Sequence, residues 1–432
     1  MITLSVLVPS VHSRWDTFGI SIQKQLWAQL DALPAKDRQR VEIIVLTDNK
    51  TRMLGDKRNI MIDMAQGEYV AHVDDDDRLE PDYLSSLLDA TATSPDVVTF
   101  NVSVTINGST PKICRYSSKF KADKNLPNSY ERLPNHIMCV RKDLACRVAF
   151  PSILKGEDSA YSKELIRFLK TEVAIDRVLY HYDYSDATTV TQQYVQSQPK
   201  KVPPPTADIV FLSKATTPAL RFMTQRAIDT AVNGAKPLSV NCVVIEQAPG
   251  VLYQRATTIY HDAPFQFNGF LNKGARLCQA DWIVFSNNDV VYKPGWLHAL
   301  LEASHPVVSP KEPRDARMVG LTHNEIGIKI GRHLAGWCFM MRRDIYDTIG
   351  GLDEDFDGWC SDDAVIEQLK PLDIQPMVVA KAVVAHIGSK TLNDSDDYDE
   401  LTWGGIEKFE KKYGKHKLSS HPDYKKWLRN RA

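Results

Sequence analysis

Long apolar segments are missing from this sequence. No uninterrupted apolar run approaches the roughly 20 residues that a helix needs to cross a bilayer. The first residues, Met1–Pro9, have neither the basic start nor the cleavage site of a signal peptide, and their composition is that of a buried strand. We therefore expect a cytoplasmic protein without a transmembrane segment.

Cysteine is scarce, and a charge of one sign is not in excess. The chain of 432 residues has seven cysteines and no CxxC pair. This pattern favours reduced thiols and supports neither a disulfide framework nor a structural zinc site. Lysine and arginine total 53 against 54 acidic residues, a net charge of -1, which argues against a protein that binds polyanions over its whole surface.

The most informative stretch is a run of four aspartates, Asp74–Asp77, after an apolar segment that begins at Gly67. The apolar segment has the pattern of a buried parallel strand, and open α/β sheets bind ligands at the carboxyl ends of their strands. Four adjacent carboxylates repel one another unless solvent, basic residues or a multivalent cation offset the charge. If the chain is extended here, Asp74 and Asp76 face one ligand and the other two face away. A divalent cation completed by substrate phosphates fits this arrangement, and a solvated acidic turn is the alternative.

Further polar residues stand at the ends of predicted elements. Asp48 follows a predicted strand, Val41–Leu46, and an Asx turn explains it almost equally well. The basic pair at the start of Lys57–Asn59 opens a helix-like segment before the aspartates. Asp158 comes just before a predicted helix over residues 159–169, where simple N-capping is the alternative explanation.

The stretch from Lys57 through Asp77 resembles the signature of family 2 glycosyltransferases, which have the GT-A fold. In that family an acidic pair, the DxD motif, holds the Mn²⁺ or Mg²⁺ that binds the diphosphate of a nucleotide-sugar donor. The resemblance implies Asp74 and Asp76 as metal ligands, with Asp74 and Arg58 also among the donor-binding residues. It further implies that Asp48 contacts the uracil or ribose of the donor and that Asp158 is the general base.

The second half of the chain repeats this pattern. Asn272 precedes Asn287 by the same number of residues that separate Asn59 from Asp74. By the resemblance, Glu246 corresponds to Asp48, the asparagines at 272 and 287 bind the donor, and Asp289 is a metal ligand. Asparagine is the weaker ligand for a hard cation, so this half has either a lower metal affinity or a binding role.

Two histidines extend the repeat. Asp363 matches the base position of Asp158, and His386 follows it at the same spacing as His181 follows Asp158. Many GT-A enzymes use a histidine like His386 as a third metal ligand, and His181 is the weaker counterpart. For both histidines, ordinary hydrogen bonding or packing is the alternative.

These patterns predict an α/β protein with two GT-A (nucleotide-diphospho-sugar transferase, Rossmann-like) domains in tandem, each a mostly parallel mixed sheet flanked by helices. The predicted boundaries are residues 1–195 for domain 1, 196–206 for a Pro-rich linker, 207–400 for domain 2 and 401–432 for a basic helical tail. The tail is either an amphipathic segment packed on domain 2 or a binding surface for an anionic acceptor or membrane.

The predicted activity is metal-dependent, inverting transfer of a sugar from a nucleotide-diphosphate sugar to an acceptor hydroxyl. We hypothesise one active site in each domain, and the alternative is a single catalytic domain beside an acceptor-binding module. A glycan, a lipid-linked glycan and a hydroxymethylated base in phage DNA remain open as acceptors. A non-catalytic carbohydrate-binding protein, a nucleotidyltransferase and a two-metal phosphodiester hydrolase are the rival functions.

Overall fold

The protein is described here from a computed structural model that covers residues 1–185, 206–356, 358–388 and 398–431. The chain forms two compact units. Unit 1 contains Met1–Val202 and Thr257–Ala263, and unit 2 contains Pro203–Ala256 and Pro264–Ala432. Most of the predicted linker, residues 196–205, lies outside the described residues, so the predicted domain boundaries stay a prediction.

Strands and helices alternate along residues 1–185. The strands are β1 (Leu4–Val11), β2 (Val41–Asp48), β3 (Tyr69–His72), β4 (Arg78–Leu79), β5 (Val97–Ile106), β6 (Lys112–Tyr116), β7 (Lys124–Asn125), β8 (Ser129–Arg132), β9 (Cys139–Arg141) and β10 (Glu172–Tyr184). The helices are α1 (Ile20–Ala32), α2 (Ala35–Arg38), α3 (Leu54–Met64), α4 (Tyr83–Thr91), α5 (Lys142–Ala145) and α6 (Glu157–Leu165).

The remaining elements follow from residue 206 onward. The strands are β11 (Ala207–Ser213), β12 (Val240–Glu246), β13 (Ala256–His261), β14 (Trp282–Ser286), β15 (Val290–Tyr292), β16 (Val307–Lys311), β17 (Glu325–Ile326), β18 (Cys338–Arg342) and β19 (Met377–His386). The helices are α7 (Pro218–Gly234), α8 (Phe267–Ala275), α9 (Trp296–Glu302), α10 (Arg343–Thr348), α11 (Ser361–Leu369), α12 (Tyr398–Tyr413) and α13 (Pro422–Arg431).

Unit 1 is built on a mixed sheet with the strand order β2–β1–β3–β9–β5–β10–β4. β1 runs parallel to β2 and β3, whereas β9 is antiparallel to both β3 and β5. β10 is parallel to β5 and antiparallel to β4. Every residue of β1 and β2 is buried, as expected for central parallel strands that are covered on both faces. The carboxyl ends of β1 and β3 therefore meet at one edge of the sheet.

An additional strand extends this sheet beyond β2. β13 pairs antiparallel with β2, with Ile259 opposite Leu46 and His261 opposite Ile44. The His261 Nε2 atom lies 2.8 Å from Glu42 Oε2, and both side chains are fully buried. Tyr260 Oη accepts a 2.7 Å hydrogen bond from the Trp27 indole. The segment Thr257–Ala263 thus belongs to unit 1, although the chain on either side of it belongs to unit 2.

Unit 2 has a sheet of the same kind, with the order β12–β11–β14–β18–β16–β19–β15. β11 is parallel to β12 and β14, β18 is antiparallel to β14 and β16, and β19 is parallel to β16 and antiparallel to β15. Helices α7 and α9 pack on this sheet around a core that includes Trp296 and Leu297. The α/β class predicted from the sequence is confirmed.

The basic tail consists of two helices, α12 and α13. Ile406, Phe409 and Tyr424 are buried and pack against Phe356 and Cys360 of unit 2. The aromatic side of the tail is therefore part of a small apolar core. No helix among the described residues is both long and apolar enough to cross a membrane.

Candidate active site

A cavity of about 500 Å³ opens in unit 1 at the carboxyl ends of β1 and β3. Its charged side holds all four aspartates of the run Asp74–Asp77, together with Lys57 and Arg58 from α3. Asp158, at the start of α6, lines the same cavity. The two acidic motifs predicted from the sequence of this half are thus brought together.

The aspartate run forms a turn, so the extended conformation assumed from the sequence is wrong. The Asp77 amide lies 3.3 Å from the Asp74 carbonyl and donates to it. In a turn the side chains no longer alternate between two faces. Asp75 and Asp76, expected on opposite sides, both contact the Arg14 guanidinium, at 3.0 and 2.6 Å.

Negative charge in the turn is only partly compensated. Burial raises the pKa of Asp75 to about 6, although Arg14 and the Ser10 hydroxyl oppose the shift. Burial also raises the pKa of Asp77, and the charges of Asp74 and Asp76 raise it further. The Oδ1 atom of Asp77 is buried and has no hydrogen-bond partner among the described residues.

Arg58 is buried between two carboxylates. Its guanidinium donates 2.9 Å hydrogen bonds to Asp74 Oδ1 and to Glu157 Oε1, and it lies over the Phe150 ring. Burial alone would raise the pKa of Asp74, but Arg58 and His136 lower it far below the usual range. Asp74 is therefore ionised and held in place by α3.

His136 is a residue of this site that the sequence did not single out. Its Nε2 atom lies 3.3 Å from Asp74 Oδ2, and its ring lines the cavity. His181, the predicted third metal ligand of this half, does not line the cavity, and its Nε2 atom lies 2.6 Å from Glu80 Oε1. The structure therefore does not bring His181 to the aspartates, because β10 pairs it with Arg78 of β4.

Asp158 stands in the first turn of α6, directly after a sharp bend. Gly156 precedes the helix with φ at 87°, a left-handed conformation that favours glycine. The Oδ1 atom of Asp158 accepts a 2.7 Å hydrogen bond from the Ser159 amide. Gly156 and not Asp158 is the N-cap residue, and no side chain caps the helix, so the N-capping alternative does not describe Asp158. Its half-buried carboxylate lines the cavity.

Asp48 has its carboxylate oxygens engaged within the protein. They accept hydrogen bonds from Lys57 Nζ at 2.7 Å and from the amides of residues 50, 51 and 52. Lys57 lowers the pKa of Asp48 against the effect of burial. The Asx-turn alternative thus describes what Asp48 does here, and a contact to the donor base stays a prediction. Asp48 nonetheless fixes Lys57, which also donates to the Ser10 carbonyl in the cavity wall.

Aromatic and apolar side chains also line the cavity. Tyr116 of β6 and Tyr182 and Tyr184 of β10 lie there with Val102 and Val104 of β5. Alternate residues of a strand share one face, which is why the two β10 tyrosines lie together. The cavity lining therefore combines charged and aromatic side chains.

Unit 2 brings together two of its predicted residues. The His386 Nε2 atom lies 3.1 Å from Asp289 Oδ1, because β15 and β19 pair Val290 with His386. The His386 ring stacks on Trp337, whose carbonyl accepts the Asn287 amide. The expected proximity of Asp289 and His386 is present, while their metal-binding role stays a prediction.

Two other predicted donor-binding residues of unit 2 have structural partners. Glu246 is fully buried and accepts hydrogen bonds from the Ala215 and Ala248 amides and from Tyr253 Oη. The Asn272 side-chain amide donates to the Leu352 carbonyl and to Glu354, and its oxygen accepts from the Tyr346 hydroxyl and the Leu352 amide. Asn272 therefore connects α8 by hydrogen bonds to the loop before α11.

The acidic pair at the start of α11 is arranged differently from that of unit 1. Asp363, the predicted base, lies 3.1 Å from Lys417 Nζ and 3.4 Å from His416 Nε2 of the tail. Burial would raise its pKa, but His416 and Lys417 lower it. Asp362 instead contacts Gly336, the neighbour of Trp337, and burial raises its pKa to about 6.

Side chains that could bind a metal ion also lie close together outside the cavity. Among the described residues, one group of three has ligand atoms that all lie within 4.8 Å of one another, namely Cys360, Asp363 and His416. The aspartates of unit 1 do not form such a group, because Arg14 and Arg58 lie among them.

Comparisons with known proteins identify one family and several solved structures. The model of glycosyl transferase family 2 matches residues 21–143 and 243–305. The solved structure of S. aureus TarS residues 1–349 is 20% identical, with a TM-score of 0.33 over 42% of this chain and 60% of that chain. The same protein in complex with UDP-GlcNAc is 18% identical, with a TM-score of 0.33 over 43% of this chain and 59% of that chain. This chain thus spans less than two thirds of those structures.

No curated protein sequence matches this chain. The first family match lies in unit 1, and the second lies in unit 2 apart from the strand segment Thr257–Ala263. Both matched segments are therefore similar to glycosyl transferase family 2.

Proposed function

We propose that unit 1 transfers a sugar from a nucleoside-diphosphate sugar to an acceptor hydroxyl. The observation that carries this proposal is the shared cavity, which both the aspartate turn after β3 and Asp158 at the start of α6 line. Sugar transfer leaves negative charge on the departing diphosphate and needs a proton acceptor at the attacking hydroxyl. The aspartate turn and the basic residues beside it meet the first need, and Asp158 meets the second.

The donor side fits a divalent cation. Carboxylate oxygens are the ligands that Mg²⁺ and Mn²⁺ prefer. The turn offers four carboxylates, and the Oδ1 atom of Asp77 has no hydrogen-bond partner among the described residues. Asp74 and Asp76 would hold the ion, which when bound would stabilise the charge of the leaving diphosphate. Lys57, Arg58 and Arg14 add fixed positive charge in the same wall. We infer that Arg14 exchanges its contact with Asp76 for a donor phosphate.

The acceptor side contains Asp158 and the aromatic residues of the cavity lining. Asp158 would take the proton from the acceptor hydroxyl as that oxygen attacks the anomeric carbon, and attack opposite the leaving group would invert the configuration. The tyrosines at 116, 182 and 184 provide flat apolar faces of the kind that line ligand pockets. Such faces suit the ring of a carbohydrate acceptor, as a free glycan or a lipid-linked one.

Unit 2 differs from unit 1 at the positions that matter for this chemistry. Leu271 and Asn287 occupy the positions of Arg58 and Asp74 in the repeat, so the buried ion pair of unit 1 has no equivalent there. The base position, Asp363, is paired with the tail. We therefore propose one catalytic unit and assign unit 2 a binding role, rather than two active sites.

Rival functions lack a corresponding observation. A non-catalytic carbohydrate-binding protein does not need Asp158 and a buried aspartate turn to line the same cavity. A two-metal hydrolase needs a denser set of ligands than the three-residue group found among the described residues, which lies outside this cavity.

The test compares two conservative substitutions at matched positions. We expect Asp158→Asn to lower transfer by about 10²- to 10⁴-fold, the usual contribution of a general base, while donor binding with Mn²⁺ is retained. Asp363→Asn serves as the control and should leave turnover within about twofold. Release of the nucleoside diphosphate from a panel of nucleotide sugars, with and without acceptor, measures turnover. Full activity of Asp158→Asn would refute the proposal.

A further inference from the structure

Three side chains with metal-binding atoms meet where the tail contacts α11. Cys360 precedes this helix, Asp363 lies in its first turn, and His416 lies between α12 and α13. Their sulfur, oxygen and nitrogen atoms all lie within 4.8 Å of one another. The group lies outside the cavity of unit 1 and has no part in the proposed transfer reaction.

His416 points into this group without a hydrogen bond from its outer nitrogen. The residue is 6% exposed, and its buried Nε2 atom has no hydrogen-bond partner among the described residues. That atom lies 3.4 Å from Asp363 Oδ1, and the Phe409 ring covers the imidazole from one side. Buried ring nitrogens usually form a well-aligned hydrogen bond, and a metal ion between this nitrogen and the Asp363 oxygen would satisfy both atoms.

Cys360 is held in a conformation that cysteine rarely adopts. Its φ is 65°, in the left-handed region, and its side chain is 2% exposed. Such a conformation is unfavourable for a residue other than glycine. The backbone is therefore strained at the residue whose thiol points toward Asp363 and His416.

We propose that Cys360, Asp363 and His416 bind one Zn²⁺ ion, which fastens the tail helices to unit 2. Thiolate, imidazole and carboxylate are the ligands that Zn²⁺ takes, and three protein ligands leave the fourth tetrahedral position to water. A soft thiolate in the set favours Zn²⁺ over Mg²⁺ or Mn²⁺. The surrounding apolar residues, Phe356, Ala364 and Phe409, exclude solvent from the sulfur.

Three local changes accompany binding. The Cys360 thiol loses its proton to solvent as the sulfur–zinc bond forms. His416 binds through Nε2 with its proton on Nδ1, so the 3.2 Å contact from the Leu418 amide to Nδ1 opens. Lys417 leaves Asp363 for solvent, which its 57% exposed side chain permits.

The sequence does not reveal this site because its ligands are far apart in the chain. No CxxC pair is present, and more than 50 residues separate Cys360 from His416. The packing of the tail on unit 2 brings them together. The absence of a zinc motif from the sequence is thus compatible with a site formed by folding.

The experiment uses the full chain, treated with a chelator under reducing conditions and then titrated with Zn²⁺ and with Co²⁺. We expect wild type to bind one more equivalent of Zn²⁺ than Cys360→Ser or His416→Gln. The affinity of the site for Zn²⁺ should fall more than about 100-fold in these variants, which exceeds the usual effect of losing an outer-shell partner. The Co²⁺ form should show a thiolate-to-cobalt charge-transfer band that Cys360→Ser lacks. Cys146→Ser and His421→Gln, an exposed thiol and a neighbouring tail histidine, are the controls and should behave as wild type.

Thermal unfolding provides the second readout. Zn²⁺ should raise the melting temperature of wild type and of both controls, and not that of Cys360→Ser. Equal zinc stoichiometry in wild type and in folded Cys360→Ser would overturn the proposal, as would the lack of a thiolate band in wild type with Co²⁺. If Cys360→Ser does not fold, the same comparisons with His416→Gln decide.

Discussion

Arg58 bridges Asp74 and Glu157 in the interior of unit 1, with a side chain only 2% exposed. Removing one partner from a buried charge network leaves the remaining charges without compensation. We predict that Arg58→Leu, which introduces the residue found at position 271 of the repeat, lowers the free energy of unfolding by about 3–5 kcal/mol. Urea denaturation followed by circular dichroism measures the change.

The control for this prediction is an arginine on the surface of the same unit. Arg78 forms a 2.8 Å ion pair with Asp183, and its side chain is 58% exposed. Because exposed pairs contribute about 0–1 kcal/mol, Arg78→Leu should change stability by no more than that. Equal losses in the two variants would show that Arg58 is not the buried charge the structure describes.

Glu42 is a second residue whose buried charge has a measurable consequence. Burial alone would raise its pKa, but His261, with Ser5 and the Gln66 amide, lowers it from 4.5 to about 2. A carboxyl with a lowered folded-state pKa stabilises the fold above pH 4.5, and this contribution is lost as the pH falls from 4.5 to 2.

We therefore predict that Glu42→Gln costs about 3 kcal/mol of stability at pH 7, since each pKa unit corresponds to 1.36 kcal/mol. The difference from wild type should shrink as the pH is lowered below 4.5. Urea denaturation of both proteins between pH 3 and 7 gives the comparison. A difference that stays constant over this range would contradict the assigned pKa.

Residue patterns predicted part of the site and missed the rest for identifiable reasons. The cavity containing Asp74, Asp76 and Asp158 follows from rules about strand ends and helix starts, which are local in sequence. His136 reaches the same cavity from a distant position through tertiary contacts, which single-sequence spacing does not encode. His181 had the expected spacing, but the pairing of β10 with β4 turns it toward Glu80.

At the scale of elements, β13 departs furthest from the sequence analysis. The repeat in the sequence gave no sign of a strand over residues 256–261. This strand adds to the edge of the unit 1 sheet, where β2 would otherwise expose unpaired backbone groups. Its partner could not be read from the sequence, because the pairing joins segments about 200 residues apart.

Hydrogen exchange can test whether β13 unfolds with unit 1 or with unit 2. A Leu7→Ala substitution in β1 should cost about 2–5 kcal/mol and speed the exchange of amides 258–261 together with those of β2. Leu300→Ala in α9 of unit 2 removes an equally buried leucine and should leave those amides slow. The opposite pattern, with fast exchange only in Leu300→Ala, would place the strand with unit 2.

At the scale of the whole molecule, the two units share a strand order but differ in chemistry. Unit 1 keeps an aspartate turn, a buried arginine and an acidic helix start around one cavity. In unit 2, Asp289 lies beside His386. Of the two aspartates at the start of α11, Asp362 contacts Gly336 and Asp363 contacts the tail. The repeat was visible in the sequence, whereas this arrangement depends on tail packing and was not.

If turnover belongs to unit 1, matched substitutions in the two units should have different effects on it. Release of nucleoside diphosphate from a donor panel with Mn²⁺ is compared for Asp76→Ala and Asp289→Ala, with circular dichroism to confirm that both fold. We predict that Asp76→Ala loses about 10²-fold or more of the wild-type rate, because it removes charge stabilisation of the leaving group, while Asp289→Ala keeps it. Loss of turnover in Asp289→Ala with full activity in Asp76→Ala would contradict the account.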